Sequence, residues 1–196
     1  MKPLLIIVSG PTASGKTALS LQLAQSFNAE IVSADSRQFY RKMDIGTAKA
    51  SKEEQAKVPH HFIDLLDITD DYNAGAFESD VIQFLDTYYL QKSTAIMVGG
   101  SGLYINAVKN GFDPLPSSSA EIREKWSSLY HKNGLDFLKS ELEKRDPEYY
   151  QKVDLNNHQR LQRALEAIDQ TGETFTSMRK SVKKERDFRI IEIQIM

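Results

Sequence analysis

The stretch GPTASGKT at residues 10–17 follows directly on the apolar run LLIIVS, and no other feature constrains the fold as much. The octet matches G-x-x-x-x-G-K-[ST], a loop whose backbone N–H groups wrap phosphate oxygens and which needs a strand before it and a helix after it. The run in front is continuous rather than alternating, as expected of a parallel strand buried on both faces. Behind it, Lys16 to about Phe27 has helical spacing, with Leu19, Leu23 and Phe27 on one face. Leu4 to Val8 could be mistaken for the core of a signal peptide, but it is short and leads into a phosphate loop instead of a small-residue cleavage site.

The alternation continues down the chain. AEIVSAD (29–35), HFIDLLD (61–67) and TAIMVGG (94–100) read as further strands. Residues 74–89 read as a helix from the spacing of Phe77, Val81, Phe84, Leu85 and Tyr88, and 101–110 as a short helix closed by Gly111. Strands alternating with helices predict an α/β fold, a phosphate-loop core of three layers around a parallel sheet. Ligands of such sheets bind beyond the carboxyl ends of the strands. Ser9–Thr17, Asp35–Gln38 and Gly99–Ser101 all follow expected strand ends, so three loops should converge on one crevice.

The pattern changes at DPLPSSS (113–119), a Pro/Ser punctuation typical of a boundary. From Ala120 to about Lys180 the spacing is helical, and DPEYY (146–150) marks a helix start with Asp as cap and Pro in the first turn. FRIIEIQI (188–195) returns to strand character. The expected organisation is a core over 1–112, a helical insert over 113–186, and a returning strand over 187–196. A strand as the last element suggests a truncated fragment whose core continues beyond it.

Composition narrows the chemistry. A chain of 196 residues with formal net charge −2 carries no global basic field, and with no cysteine it excludes disulfides, thiolate metal sites and a cysteine nucleophile. No apolar run approaches membrane-spanning length. A cytoplasmic protein without a membrane partner, and a monomer, is expected.

Within the loop, Gly10 and Gly15 permit the tight turn, and Pro11, Thr12, Ala13 and Ser14 lie between them. Lys16 supplies a full charge, the following helix directs its positive end at the same spot, and Thr17 offers a hydroxyl to Mg²⁺. ATP is a weaker inference than diphosphate. Phosphate-loop NTPases hold Mg²⁺ with a second carboxylate at a neighbouring strand end, yet AIMV ends in Gly-Gly-Ser. The other strand ends in Asp35, followed by Ser36, Arg37 and Gln38, a cluster equipped to recognise something polar.

Six stretches in order, GPTASGKT, ADSRQFY (34–40), MDIGTAK (43–49), PHHFID (59–64), GGSGLY (99–104) and NHQRLQRALE (157–166), give the chain its resemblance to the tRNA dimethylallyltransferases, from Leu4 onward. The resemblance implies transfer of a dimethylallyl group from dimethylallyl pyrophosphate to N6 of the adenine 3′ of a tRNA anticodon, assisted by Mg²⁺. The phosphate loop would then hold a leaving pyrophosphate. It implies Asp35 as general base, with Ser101, where many relatives have Thr, near the reacting groups. It further implies tRNA contacts from Asp35, Ser36, Arg37, Gln38, Ser101 and Arg123, and from the strip Gln159, Arg160, Leu161, Gln162 and Arg163. The partner would be an anticodon stem-loop whose adenine swings out of its stack into the crevice.

Alternative readings are a nucleotide or small-molecule kinase, an isopentenyltransferase acting on free adenylate, and a non-enzymatic RNA-binding module. Residues 179–189 carry six basic and two acidic side chains and suit either an anticodon-stem grip or a hydrated connector. His60 and His61 lack a second ligand pair for zinc. Tyr88 and Tyr89 read as core and rim.

Overall fold

The alternating directions of β1 (Leu4–Ser9) explain why its sequence is apolar throughout. Leu5 and Ile7 join Val32, Phe77, Val81, Leu85, Met97 and Val108 in one buried cluster, whereas Ile6 and Val8 join Ala24, Ile31 and Ile96 in another. The first cluster lies under α3 (Ala74–Tyr88) and α4 (Gly102–Asn110), the second under α1 (Lys16–Ser26). Each fully buried Leu, Ile or Val of this strand contributes about 1.5–3 kcal/mol of transfer free energy.

The structure, a computed structural model, describes residues 2–113, 116–179 and 183–196. Its contacts divide the chain into one unit of Met1–Phe112 with Lys183–Met196 and another of Asp113–Val182. In the first unit β1 is flanked by β4 (Thr94–Gly99) and β5 (Arg189–Gln194), and β2 (Ile31–Ser33) and β3 (His60–His61) complete a five-stranded sheet of order β3-β2-β4-β1-β5. Every pairing is parallel, with Ile6 level with Ile96 and Ile191. Helices on both faces make the fold α/β. Among the described residues no helix is long and apolar enough to cross a membrane.

Three local expectations are corrected. The strand expected over 61–67 shrinks to His60–His61, because Phe62 and Asp64 take left-handed φ values of 61° and 54°. That twist turns Phe62 between Phe77 and Phe84, with ring centroids 5.5 and 5.9 Å away, and aims Asp64 at Lys49. Phe27 is 48% exposed rather than part of the buried face of α1. That face buries Ser20 and Ala24, whose small side chains let the helix lie close on the sheet. A helix not foreseen, α2 (Lys52–Lys57), starts at Ser51 through a reciprocal capping box with Glu54.

The return to the first unit also comes earlier than residue 187. Glu78, buried on α3, accepts from Lys184 Nζ (2.9 Å), Arg186 Nη2 (2.8 Å) and Phe112 N (2.7 Å). Burial alone would raise its pKa; the hydrogen bonds outweigh it and hold the carboxyl below its ordinary value. Lys184 and Arg186, two of the basic residues considered for phosphate binding, are therefore engaged with the protein's own acid. Lys180 lies outside the described residues.

The second unit is helical: α5 (Ala120–Arg145), bent where Gly134 takes φ 78°, then α6 (Pro147–Tyr150), α7 (His158–Thr171) and α8 (Phe175–Met178). Its core gathers Trp126, Leu138, Leu142, Tyr149, Leu161, Leu165 and Phe175. Asp146, 1% exposed, caps α6 through Tyr149 N and also accepts from Thr176 N and Oγ1. Asp169 receives Lys125, Arg145 and Trp126 Nε1 at 2.6–2.8 Å. Its burial opposes ionisation, but these donors prevail and keep its pKa low.

Candidate active site

The phosphate loop leaves β1 at Ser9 and enters α1 at Lys16, as its spacing requires. Gly10 has φ 154°, and a Cβ there would stand 2.5 Å from the carbonyl oxygen of Ile195, so no side chain fits. Ala13 at φ 64° and Gly15 at φ 87° complete the turn. The start of α1 has no side-chain cap and no acidic residue in its first turn. Its N–H groups and positive end are thus left for an anion.

Two side chains in the loop bear on what it holds. Lys16 Nζ folds back and donates to the Pro11 carbonyl at 2.5 Å, keeping its charge over the loop. Ser14 Oγ is buried and, among the described residues, is the buried side-chain polar atom with no hydrogen-bond partner. Leaving a buried hydroxyl unpaired costs about 1–3 kcal/mol. An anion oxygen accepting from it would remove that cost.

At the ends of β2 and β4 the two other loops meet. Gly99 must be glycine, because a Cβ would fall 2.3 Å from the carbonyl oxygen of Ala34. This close approach brings Ser101 to the second loop: Ser36 N donates to Ser101 Oγ at 3.0 Å, and Ser101 Oγ lies 3.3 Å from Ser36 Oγ. Asp35, half-buried beside them, accepts from Arg37 N at 3.0 Å through Oδ1. Among the described residues its second oxygen has no hydrogen bond within the protein. Arg37 itself is exposed. Between the loops after β1 and β4 opens a cleft of about 460 Å³, lined by Gly10, Pro11, Gly99 and Gly100, with Lys109 paired to Glu192 at one side.

Gln38 does something other than expected. Its carboxamide accepts from Ser33 Oγ (2.8 Å) and donates to the carbonyls of Thr47 (3.0 Å) and Ala48 (3.1 Å). The amide nitrogen holds the 43–49 loop and the amide oxygen is tied to the end of β2, so both ends are engaged within the protein. Lys49 finishes the attachment: its ammonium reaches Tyr40 O, Asp44 Oδ1 and Asp64 Oδ1 at 2.7–3.1 Å. Burial would lower its pKa, but the two carboxylates reverse the shift and raise it. Sequence reasoning recorded MDIGTAK as a motif without seeing this clamp. The signal available was a lysine, rarely buried unless paired, ending a motif rich in turn residues.

In the second unit the expected tRNA-contacting residues divide. Arg123, Gln159 and Arg160 are exposed, and Gln162 is half-buried. Leu161 is 0% exposed, a core residue that offers nothing to a ligand. Arg163 donates to Ser118 Oγ (2.9 Å) and to the Pro116 carbonyl (2.8 Å), fastening the segment before α5. The i, i+4 face shared by Gln159 and Arg163 thus carries one exposed residue and one structural one.

Several known proteins are similar to this chain. A family model described as IPP transferase matches residues 38–196. A tRNA dimethylallyltransferase of Cytophaga hutchinsonii is 45% identical over 188 residues, covering 96% of this chain and 62% of the relative. A tRNA dimethylallyltransferase of Phocaeicola vulgatus is 47% identical over 193 residues, covering 98% and 64%. Among solved structures, a eukaryotic dimethylallyltransferase acting on tRNA superposes with a TM-score of 0.79 at 28% identity, over 98% of this chain and 48% of that one. The full-length tRNA isopentenylpyrophosphate transferase of Bacillus halodurans gives 0.56 at 37% identity, over 88% and 57%. The chain spans just under two thirds of the length of the curated relatives it matches. The chain therefore belongs to the IPP transferase family.

Proposed function

We propose that this chain carries the donor-binding and catalytic centre of a tRNA dimethylallyltransferase, which moves a dimethylallyl group from its diphosphate to N6 of the adenine 3′ of a tRNA anticodon. The reading rests on one observation above the others: the Ser36–Ser101 hydrogen bond sets Asp35, with an oxygen available, in the loop cluster beyond the same strand ends as the phosphate loop.

In the reaction the allylic C–O bond breaks and its electron pair leaves with the diphosphate. The N6 lone pair forms the new C–N bond, and the N6 proton passes to Asp35. Lys16, the loop N–H groups and Ser14 Oγ stabilise the charge that grows on the leaving group, an effect largest where donors are held in place beforehand. Asp35 as general base would supply about 10²–10⁴ in rate. The Ser101 hydroxyl, already bonded to Ser36 N, fixes the loop after β2 against the loop after β4.

Mg²⁺ fits the donor set in part. Thr17 offers a hard oxygen, but among the described residues no group of three His, Cys, Asp or Glu side chains could hold a metal, so diphosphate oxygens would provide the remaining ligands. When bound, the ion would add Lewis-acid stabilisation of the leaving group. For the RNA, we assign contacts to Ser36, Arg37, Arg123, Gln159 and Arg160. We place the protein in the cytoplasm, as a monomer, without a membrane partner.

The test is incubation with labelled dimethylallyl pyrophosphate and an anticodon stem-loop, with ATP as competitor. Label on the adenine, lost in Asp35→Ala, is the expected result. ATP turnover with no labelled RNA would instead establish a kinase.

A further inference from the structure

The loop between Tyr40 and Ala50 is unusual for what it displays. Ile45 is 98% exposed, whereas isoleucine ranks among the residues most often buried. The backbone around it is strained: Lys42, Gly46 and Ala48 have φ values of 65°, 76° and 49°, two of them in residues that carry a Cβ. Left-handed residues of this kind persist where surrounding contacts over-determine them, and they concentrate at functional sites. Here the contacts are plain. Thr47 Oγ1 donates to the Met43 carbonyl at 2.7 Å, Gln38 holds Thr47 and Ala48, and Lys49, its side chain 6% exposed, holds Asp44. The scaffold therefore fixes a bare isoleucine in one position.

Its placement indicates what it meets. Gln38 bonds Thr47 and Ala48, so the loop that carries Ile45 is tied to the segment containing Asp35, Ser36 and Arg37. Two exposed cations, Arg37 and Lys42, occur on the same two segments, whereas Asp44 is paired with Lys49. An exposed apolar residue on a segment tied to exposed cations suits a ligand with flat apolar faces on an anionic strand, which is an RNA loop.

Building on the function proposed above, we infer that Ile45 packs against an unstacked nucleobase of the substrate loop and holds that loop while the target adenine is displaced. Ile45 is a positioning residue: it touches a neighbour of the reacting base and takes no part in bond making.

The experiment pairs Ile45→Ala with anticodon stem-loops made abasic at one loop position at a time, reading RNA affinity, donor affinity and transfer. Ile45→Ala should weaken the intact stem-loop about ten-fold, as expected for the loss of aliphatic groups buried against a base, and leave dimethylallyl pyrophosphate binding unchanged. One abasic RNA should bind the parent protein about ten-fold more weakly and the variant no more weakly still. Unaltered RNA affinity in Ile45→Ala, or additive losses at every abasic position, overturns the inference; with transfer intact, that result leaves the proposed function standing. Absence of RNA binding by the parent protein removes both. Because Ile45 is exposed, an unchanged melting temperature will show that the variant folds.

Discussion

The loop after β2 and the helix α7, one in each unit of this protein, use arginine and its neighbours in opposite ways. At the sheet's carboxyl ends, Arg37 reaches out while its own amide holds Asp35 in place, so one residue presents a cation and orients the base. On α7, Arg163 spends its guanidinium on Ser118 and Pro116, and Leu161 sits wholly in the core, leaving Arg160 and Gln159 to face outward. A sheet edge lets consecutive residues diverge onto a loop, all of them near the site. A helix buried on one side permits that to only one residue in two or three. A run of five residues singled out together on a helix therefore always contains structural members.

Substitutions can break or sharpen this contrast. The largest effect is expected for Asp35→Ala, with transfer falling by about 10²–10⁴ while melting temperature and RNA affinity hold. A small loss of rate would remove Asp35 from the base role. Leu161→Ala should then cost about 2–5 kcal/mol of stability in denaturant titration. If it lost RNA affinity at unchanged stability, the division drawn on α7 would be wrong.

Next comes Glu78, whose lowered pKa ties stability to pH. A carboxyl with a depressed folded pKa contributes above its unfolded value and loses that contribution as pH falls through the folded one. The melting temperature should accordingly drop as pH is lowered below the ordinary carboxylate range, and Glu78→Gln should flatten that part of the profile. At neutral pH the variant leaves Arg186 buried without its counter-charge, at a cost of about 3–5 kcal/mol. Asp169 predicts the same direction in the helical unit.

The finest comparison is between two arginines three residues apart. Arg163→Ala should lower stability by about 1.5–3 kcal/mol through its lost charged hydrogen bonds. Arg160→Ala should alter stability by less than about 0.5 kcal/mol and weaken RNA more than donor. Equal losses of both ligands in Arg160→Ala would make it structural as well.

The order of elements was readable in the residues because each rests on local rules. A continuous apolar run means a strand buried on both faces, Gly-x-x-x-x-Gly-Lys-Thr means a loop turning into a helix, and Asp146 before Pro147 means a capped start. The convergence of Asp35, Ser36 and Ser101 was also foreseeable, since parallel strands deliver their following loops to one end of the sheet. What could not be read was how side chains spend their hydrogen bonds across distances in sequence. HFIDLLD reads as a strand until Phe62 meets Phe77 and Phe84, and Asp64 meets Lys49. Gln38 looked free to recognise a base until two distant carbonyls claimed its amide. Lys184 and Arg186 looked ready for phosphates until Glu78, more than a hundred positions earlier, took both. Period and punctuation act between neighbours and so belong to the sequence. The pairing of a buried polar group depends on which partner the folded chain brings within about 3 Å, and only the tertiary structure decides that.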